Sequence, residues 1–178
     1  MDHSALVQIA LKCGATGAAI VPVEKIPFDR NFRSACEKNV CGRYGKNWMC
    51  PPDVGDIDEM ISRAKSYKYA IVFQSIGQLK DSYDLKGMRA AGKSHQDLTA
   101  AIAQEIRPML GDFLLLGAGA CHICPRCAKL DDTPCRFPES ATPSLEAYGI
   151  SVTDLAGACG LKYINGANTV TFFGGLLF

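Results

Sequence analysis

Phe113-Leu114-Leu115-Leu116-Gly117-Ala118-Gly119-Ala120-Cys121-His122-Ile123-Cys124-Pro125-Arg126-Cys127 runs from an apolar segment straight into three cysteines. Residues 113–116 read as a buried strand, and the glycine-rich turn after them delivers the chain into C-x2-C-x2-C. Cys135 follows after seven intervening residues, within Thr133-Pro134-Cys135-Arg136-Phe137-Pro138. In open α/β sheets ligands sit just outside the carboxyl ends of strands, which is where this motif begins.

Outward from that strand, the remaining patterns alternate. Leu6, Ile9, Ala10 and Cys13 share one face of a helix over 4–12, for which Ser4 is a candidate cap and Gly14 a stop. Residues 18–21 form a short apolar run between Gly17 and Pro22, and residues 69–73 a longer unbroken one; both read as strands. Asp56 precedes Glu59 by three positions in a capping-box arrangement, followed by the stripe Ile57, Met60, Ile61, Ala64 and Tyr67. A helix is expected over 85–110, broken near Gly92 and restarted at Ser94, with Leu98, Ala101, Ile102, Ile106 and Met109 turned inward. Short helices follow from Thr142 and Pro143 to Gly149, and from Ser151 and Asp154 to Gly160. Residues 168–173 are β-branched and aromatic and close the pattern as a strand. Strands alternating with helices predict an α/β single-domain sandwich over 1–178, with a mainly parallel sheet of four or more strands and long cysteine-rich loops.

The stretch 22–52 lacks regular patterning and carries a second cysteine group, Cys36-x4-Cys41-x8-Cys50. So long an irregular segment reads as a loop wrapped around a site. The lack of a signal-peptide pattern at Met1-Asp2-His3-Ser4 and of a membrane-length apolar run predicts a cytoplasmic place for this chain of 178 residues and nine cysteines. Thiols are kept reduced there, so the cysteines are read as metal ligands rather than as disulfides. A net charge of +1, without blocks of like charge, argues against a nucleic-acid surface or an anionic membrane partner.

Spacing separates the candidate metals. Four-cysteine zinc sites usually come as two separated C-x2-C knuckles, whereas three cysteines at two-residue gaps begin a bacterial ferredoxin motif. Cys121, Cys124, Cys127 and Cys135 are therefore read as ligands of a [4Fe–4S] cluster, with zinc as the alternative. Here the last gap is stretched to seven, and the proline stands at Pro138. Cys36, Cys41 and Cys50 form a second metal group with three readings. It is a cluster with one open iron, a site completed by Cys159 or His122, or a site that exchanges Cys135 with the first. The alternative is a single metal site, with the trio left as packed or free thiols.

Cys13 belongs to an apolar stripe and is read as packing. His122 is expected beside the ligands rather than among them, His3 in a frayed end, and His95 on a helix surface. Arg43, Lys46, Arg126, Lys129 and Arg136 lie near the cysteines in sequence, where cations offset the negative charge of thiolates. A dinucleotide fingerprint fails because its third glycine would fall at His122, and Tyr44-Gly45-Lys46-Asn47 lacks the rest of a P-loop.

Three groups of residues carry a family resemblance: Cys36-x4-Cys41 with Tyr44-Gly45-Lys46-Asn47-Trp48-Met49-Cys50-Pro51-Pro52; Gly119-Ala120-Cys121 through Cys135-Arg136-Phe137-Pro138-Glu139; and Pro143-Ser144-Leu145-Glu146-Ala147-Tyr148-Gly149-Ile150. In these blocks and their order the chain resembles a family of small microbial predicted metal-binding proteins of unknown function. The resemblance implies metal binding and supports the seven clustered cysteines as the functional set, leaving out Cys13 and Cys159. The functional expectation is redox: electron transfer to a partner protein, or cluster-based chemistry on a small-molecule substrate. The competing expectation is a zinc protein whose metal pins the long loop and presents a partner-binding surface, with no catalysis.

Overall fold

A computed structural model describes residues 3–178; the part of the N-terminal reading that falls on Met1 and Asp2 lies outside them. Helix α1 (His3–Lys12) leads to β1 (Gly17–Pro22), a 3-10 turn at Val23–Lys25, α2 (Phe32–Glu37) and α3 (Ile57–Lys65). Strand β2 (Tyr69–Gln78) is followed by α4 (Leu85–Leu110) and the short β3 (Leu114–Leu116). Two 3-10 turns, Ala128–Asp131 and Glu146–Tyr148, precede α5 (Val152–Ala158) and β4 (Thr169–Leu177).

The four strands form one sheet in the order β1-β2-β4-β3, and every neighbouring pair is antiparallel. This corrects the expectation of a mainly parallel sheet. The helical crossover itself is present: β2 and β3, joined through α4, are both antiparallel to β4 and so run in the same direction. The C-terminal strand inserts between them and opposes both, giving a split β-α-β arrangement. Alternation of strands and helices reports the crossover but not which later strand fills the gap.

The sheet carries apolar layers on both faces. Ile71, Phe73 and Leu176 pack with Leu6 and Ala10 of α1 and with Leu98, Ile102 and Ile106 of α4. Val72, Phe173 and Leu177 face the other way, onto Met60 and Ala64 of α3, Leu155 of α5, and Leu145, Tyr148 and Ile150. The period-two alternation of a strand buried on both faces explains why these runs contain no polar interruption. Phe73 pairs across the strands with Gly174, where an added Cβ would come within 2.6 Å of the Phe73 ring.

Several local expectations hold and several change. Asp56 caps α3 by accepting from the amides of Asp58 and Glu59, and Ser151 caps α5 by accepting from Asp154. Ser4 lies inside α1 rather than capping it. Helix α4 runs unbroken past Gly92, because tertiary packing overrides the cost of one glycine. Its buried face includes His95, Thr99 and Ala103, whereas Ala101 and Met109 are exposed. The presumed loop over 22–52 contains a 3-10 turn and α2.

His95 is fully buried, in correction of its expected surface place. Its ring lies between Phe73 and Phe172, with Nδ1 at 2.8 Å from Ser75 Oγ. His3 packs edge-on against Tyr69 and Phe178.

Candidate metal centre

Strand β3 ends at Leu116, and the chain leaves the sheet through a loop closed at its base. The Gly117 amide donates to the Pro143 carbonyl at 2.9 Å, and the Leu145 amide donates back to Gly117 at 3.1 Å. Everything between, including all four cysteines of the second block, is one excursion pinned to the sheet by this bridge. Within it the 3-10 turn Ala128–Asp131 follows directly on Cys127, with Ala128 buried beneath it.

Cys121, Cys124, Cys127 and Cys135 all line one small pocket, whose wall also holds Asn47, Trp48 and Met49 of the first block. All four thiols are half-buried. A half-buried pocket walled by several soft sulfur donors is suited to a thiolate-ligated metal or cluster. Among the described residues, no three His, Cys, Asp or Glu side chains converge closely enough to hold a single ion as they stand.

The two blocks are clasped together by residues that the cysteine pattern does not include. Asn47 is buried; its Nδ2 donates to the Cys121 carbonyl at 2.9 Å, while its Oδ1 accepts from the Met49 amide at 2.9 Å. Trp48 Nε1 donates to the Thr133 carbonyl at 2.9 Å. Lys129 Nζ lies 4.6 Å from the centre of the Trp48 ring and 2.8 Å from Asp53 Oδ1, so one ammonium joins an aromatic face of the first block and the carboxylate just after it. The sequence signal for Asn47 and Trp48 was their place inside the Tyr44–Pro52 block, and for Lys129 its nearness to the cysteines; nothing in their spacing pointed to Cys121, Thr133 or Asp53.

The upstream trio is spread over α2, the turn after it and the segment before Pro51. Cys36 lies in α2, whose Arg33 reaches back to the Gly55 carbonyl at 2.7 Å and closes the segment. Cys36 and Cys50 are half-buried and Cys41 is exposed. Burial pushes the Cys50 thiol up to about 12; nearby Cys41, Cys36 and Cys121 add to the rise, and Arg43 opposes it. Cys36 is raised by burial first, then by Cys41 and Glu146. The trio's thiols are therefore within electrostatic reach of one another, and Cys121 of the second block is within reach of Cys50. Ligation requires the thiolate, so a metal bound at these sulfurs would have to offset the cost of ionising them.

Cys159, the other cysteine considered as a fourth ligand, packs against the apolar layer beside α5, and burial lifts its thiol to about 11. Cys13 packs against the opposite layer, as expected from its helix face. His122 is exposed, its pKa lowered by partial desolvation and then by the Arg43 charge. Of the nearby cations, Arg126 pairs with Asp131 at 2.6 Å and Arg136 donates to the Arg126 carbonyl at 2.9 Å, so both brace the loop itself.

Among the described residues, no helix is long and apolar enough to cross a membrane. No curated protein and no solved structure matches the chain. A family model described as "Predicted metal-binding protein (DUF2284)" matches residues 19–178, a span that holds all seven clustered cysteines and excludes Cys13. The chain belongs to this family of predicted metal-binding proteins.

Proposed function

We propose that the chain is a redox protein of the reducing cytoplasm whose Cys121, Cys124, Cys127 and Cys135 thiolates hold one [4Fe–4S] cluster, with Cys36, Cys41 and Cys50 forming a second metal or cluster site beside it. The observation that carries this reading is the one small pocket whose wall contains all four thiols of the second block. The C-x2-C-x2-C spacing supports a cluster over zinc. A bound [4Fe–4S] cluster supplies one-electron chemistry.

The protein's own part is positional and electrostatic. Asn47 fixes the backbone at Cys121, where the ligand-bearing loop begins. Trp48, Met49 and Phe137 wall the pocket with apolar surface, and Arg136 places a cation in the same wall. Low solvent access and nearby positive charge both tune the potential of a thiolate-ligated group. Electrons would pass to a partner protein or to a small molecule held next to the loop.

Iron and acid-labile sulfide content, measured with an absorption spectrum on anaerobically purified protein, tests this reading. About four of each per chain is expected for one cluster, and about eight if the trio holds a second. Stoichiometric zinc without sulfide would overturn it and leave a zinc protein whose metal pins the two loops as a binding surface.

A further inference from the structure

Strand β3 is too short to cover β4. It pairs with Gly175, Leu176 and Leu177 alone, so among the described residues the edge of β4 over 169–174 that faces away from β2 has no strand partner. The chain turns out of the sheet at Gly117, and its loop forms the far bank of the gap that results. A cleft of about 640 Å³ opens there, lined among others by Phe172, Tyr163, Gly119 and His122. That volume lies in the range of small-molecule sites.

The chemistry of the walls is uneven. Arg89, Lys93 and Gln96 line the cleft from α4, at spacings that put them on one face of the helix. Lys93 is bound to Asp97. Arg89 is exposed and, among the described residues, has no ion-pair or hydrogen-bond partner, which leaves its planar fork free for a carboxylate. The Tyr163 ring, stacked on Phe173 at 15° and 6.1 Å, lines the cleft from the face of the sheet opposite to α4, whereas Phe172 lies on the α4 side beside His95. Glu146 lines the cleft too, from the 3-10 turn that follows the cysteine excursion.

His122 also belongs to the neighbouring cavity lined by Cys121, and Cys121 in turn lines the four-cysteine pocket. The cleft therefore adjoins the candidate metal centre through two consecutive residues.

We propose that this cleft is a ligand site for a small carboxylate with a planar apolar body, held by Arg89 at its charged end and against the Tyr163 ring along its length. The cleft's volume and its lone unpaired guanidinium favour this class over an extended peptide added to the open edge of β4. Binding depends on side chains outside the cysteine set and so does not require the cluster assignment to be right.

Titration calorimetry of the anaerobically purified protein with benzoate, cyclohexanecarboxylate and inorganic phosphate tests the site. Benzoate is expected to bind one per chain and more tightly than cyclohexanecarboxylate. Arg89→Gln is expected to weaken it about tenfold, the loss of one charge-assisted pair. Tyr163→Ala is expected to weaken benzoate more than cyclohexanecarboxylate, and Arg30→Gln, at a surface pair with Asp58, to change neither. Absence of benzoate binding, unchanged binding in Arg89→Gln, or phosphate binding in place of benzoate would each overturn the proposal. So would a peptide that binds the cleft while benzoate does not. Metal analysis of the same samples keeps the two readings apart, since zinc without sulfide would overturn the cluster and leave this result standing.

Discussion

The Asn47 side chain donates to the backbone carbonyl of Cys121 at 2.9 Å, across 74 positions of sequence. With its oxygen committed to the Met49 amide, this buried amide is used at both ends, and it holds the two cysteine blocks in fixed relation. The cysteine loop is thus positioned at its start by a side chain of the other block.

Replacing Asn47 with Ala should therefore act on both stability and metal retention. Two partly buried hydrogen bonds are lost and the Cys121 carbonyl and Met49 amide are left without their partner, a cost of about 1–3 kcal/mol. Urea unfolding should show the loss, and a chelator challenge should strip metal faster than from the parent. Unchanged retention would mean that the clasp does not support the centre.

Cys124→Ser should abolish the metal of the second block and lower the melting temperature, because one wall of the four-thiol pocket loses its soft donor. Cys13→Ala, in the apolar layer against α1 and α4, should leave metal content as it was. Metal analysis of the two variants side by side checks both; a metal-poor Cys13→Ala protein would contradict its role in packing.

Acid should weaken the fold through His95. Burial pulls its folded-state pKa down to about 4, with the Phe173 backbone opposing, from an unfolded value of about 6.5. Between those values the unfolded chain binds a proton that the folded chain refuses. The contribution is complete above about pH 6.5 and is lost as pH falls to about 4, a change of about 3 kcal/mol. His95→Gln should remove this part of the pH dependence, read as the difference between the two proteins in urea midpoints across the window. Parallel curves would refute it.

Two glycine substitutions should act in opposite directions. Gly174→Ala drives a methyl group against the Phe73 ring, 2.6 Å away, and should cost about 1–3 kcal/mol. Gly157→Ala, within α5 and with nothing within 4 Å of the added Cβ, should stabilise by up to about 1 kcal/mol. Thermal melts of the pair check the sheet–helix packing directly.

What sequence alone determined here is what is local. The Asp56 cap, the apolar stripe of α3, the buried run of β2 and the packing place of Cys13 all follow from spacing within a dozen residues, where helix and strand periods speak for themselves. The grouping of seven cysteines was likewise plain, because cysteine spacing is written along the chain.

Tertiary structure decided the rest. The direction of the sheet turned on where β4 inserts, and a strand's pairing partner is chosen by long-range burial rather than by its own residues. His95 reads as a surface residue until β4 lays Phe172 beside it and β2 brings Ser75 to its ring. The hold of Asn47 on Cys121 and of Lys129 on Asp53, and the cleft left where β3 stops short, exist because distant segments meet. No periodicity encodes such meetings; they are set by how the two apolar faces of the sheet are covered.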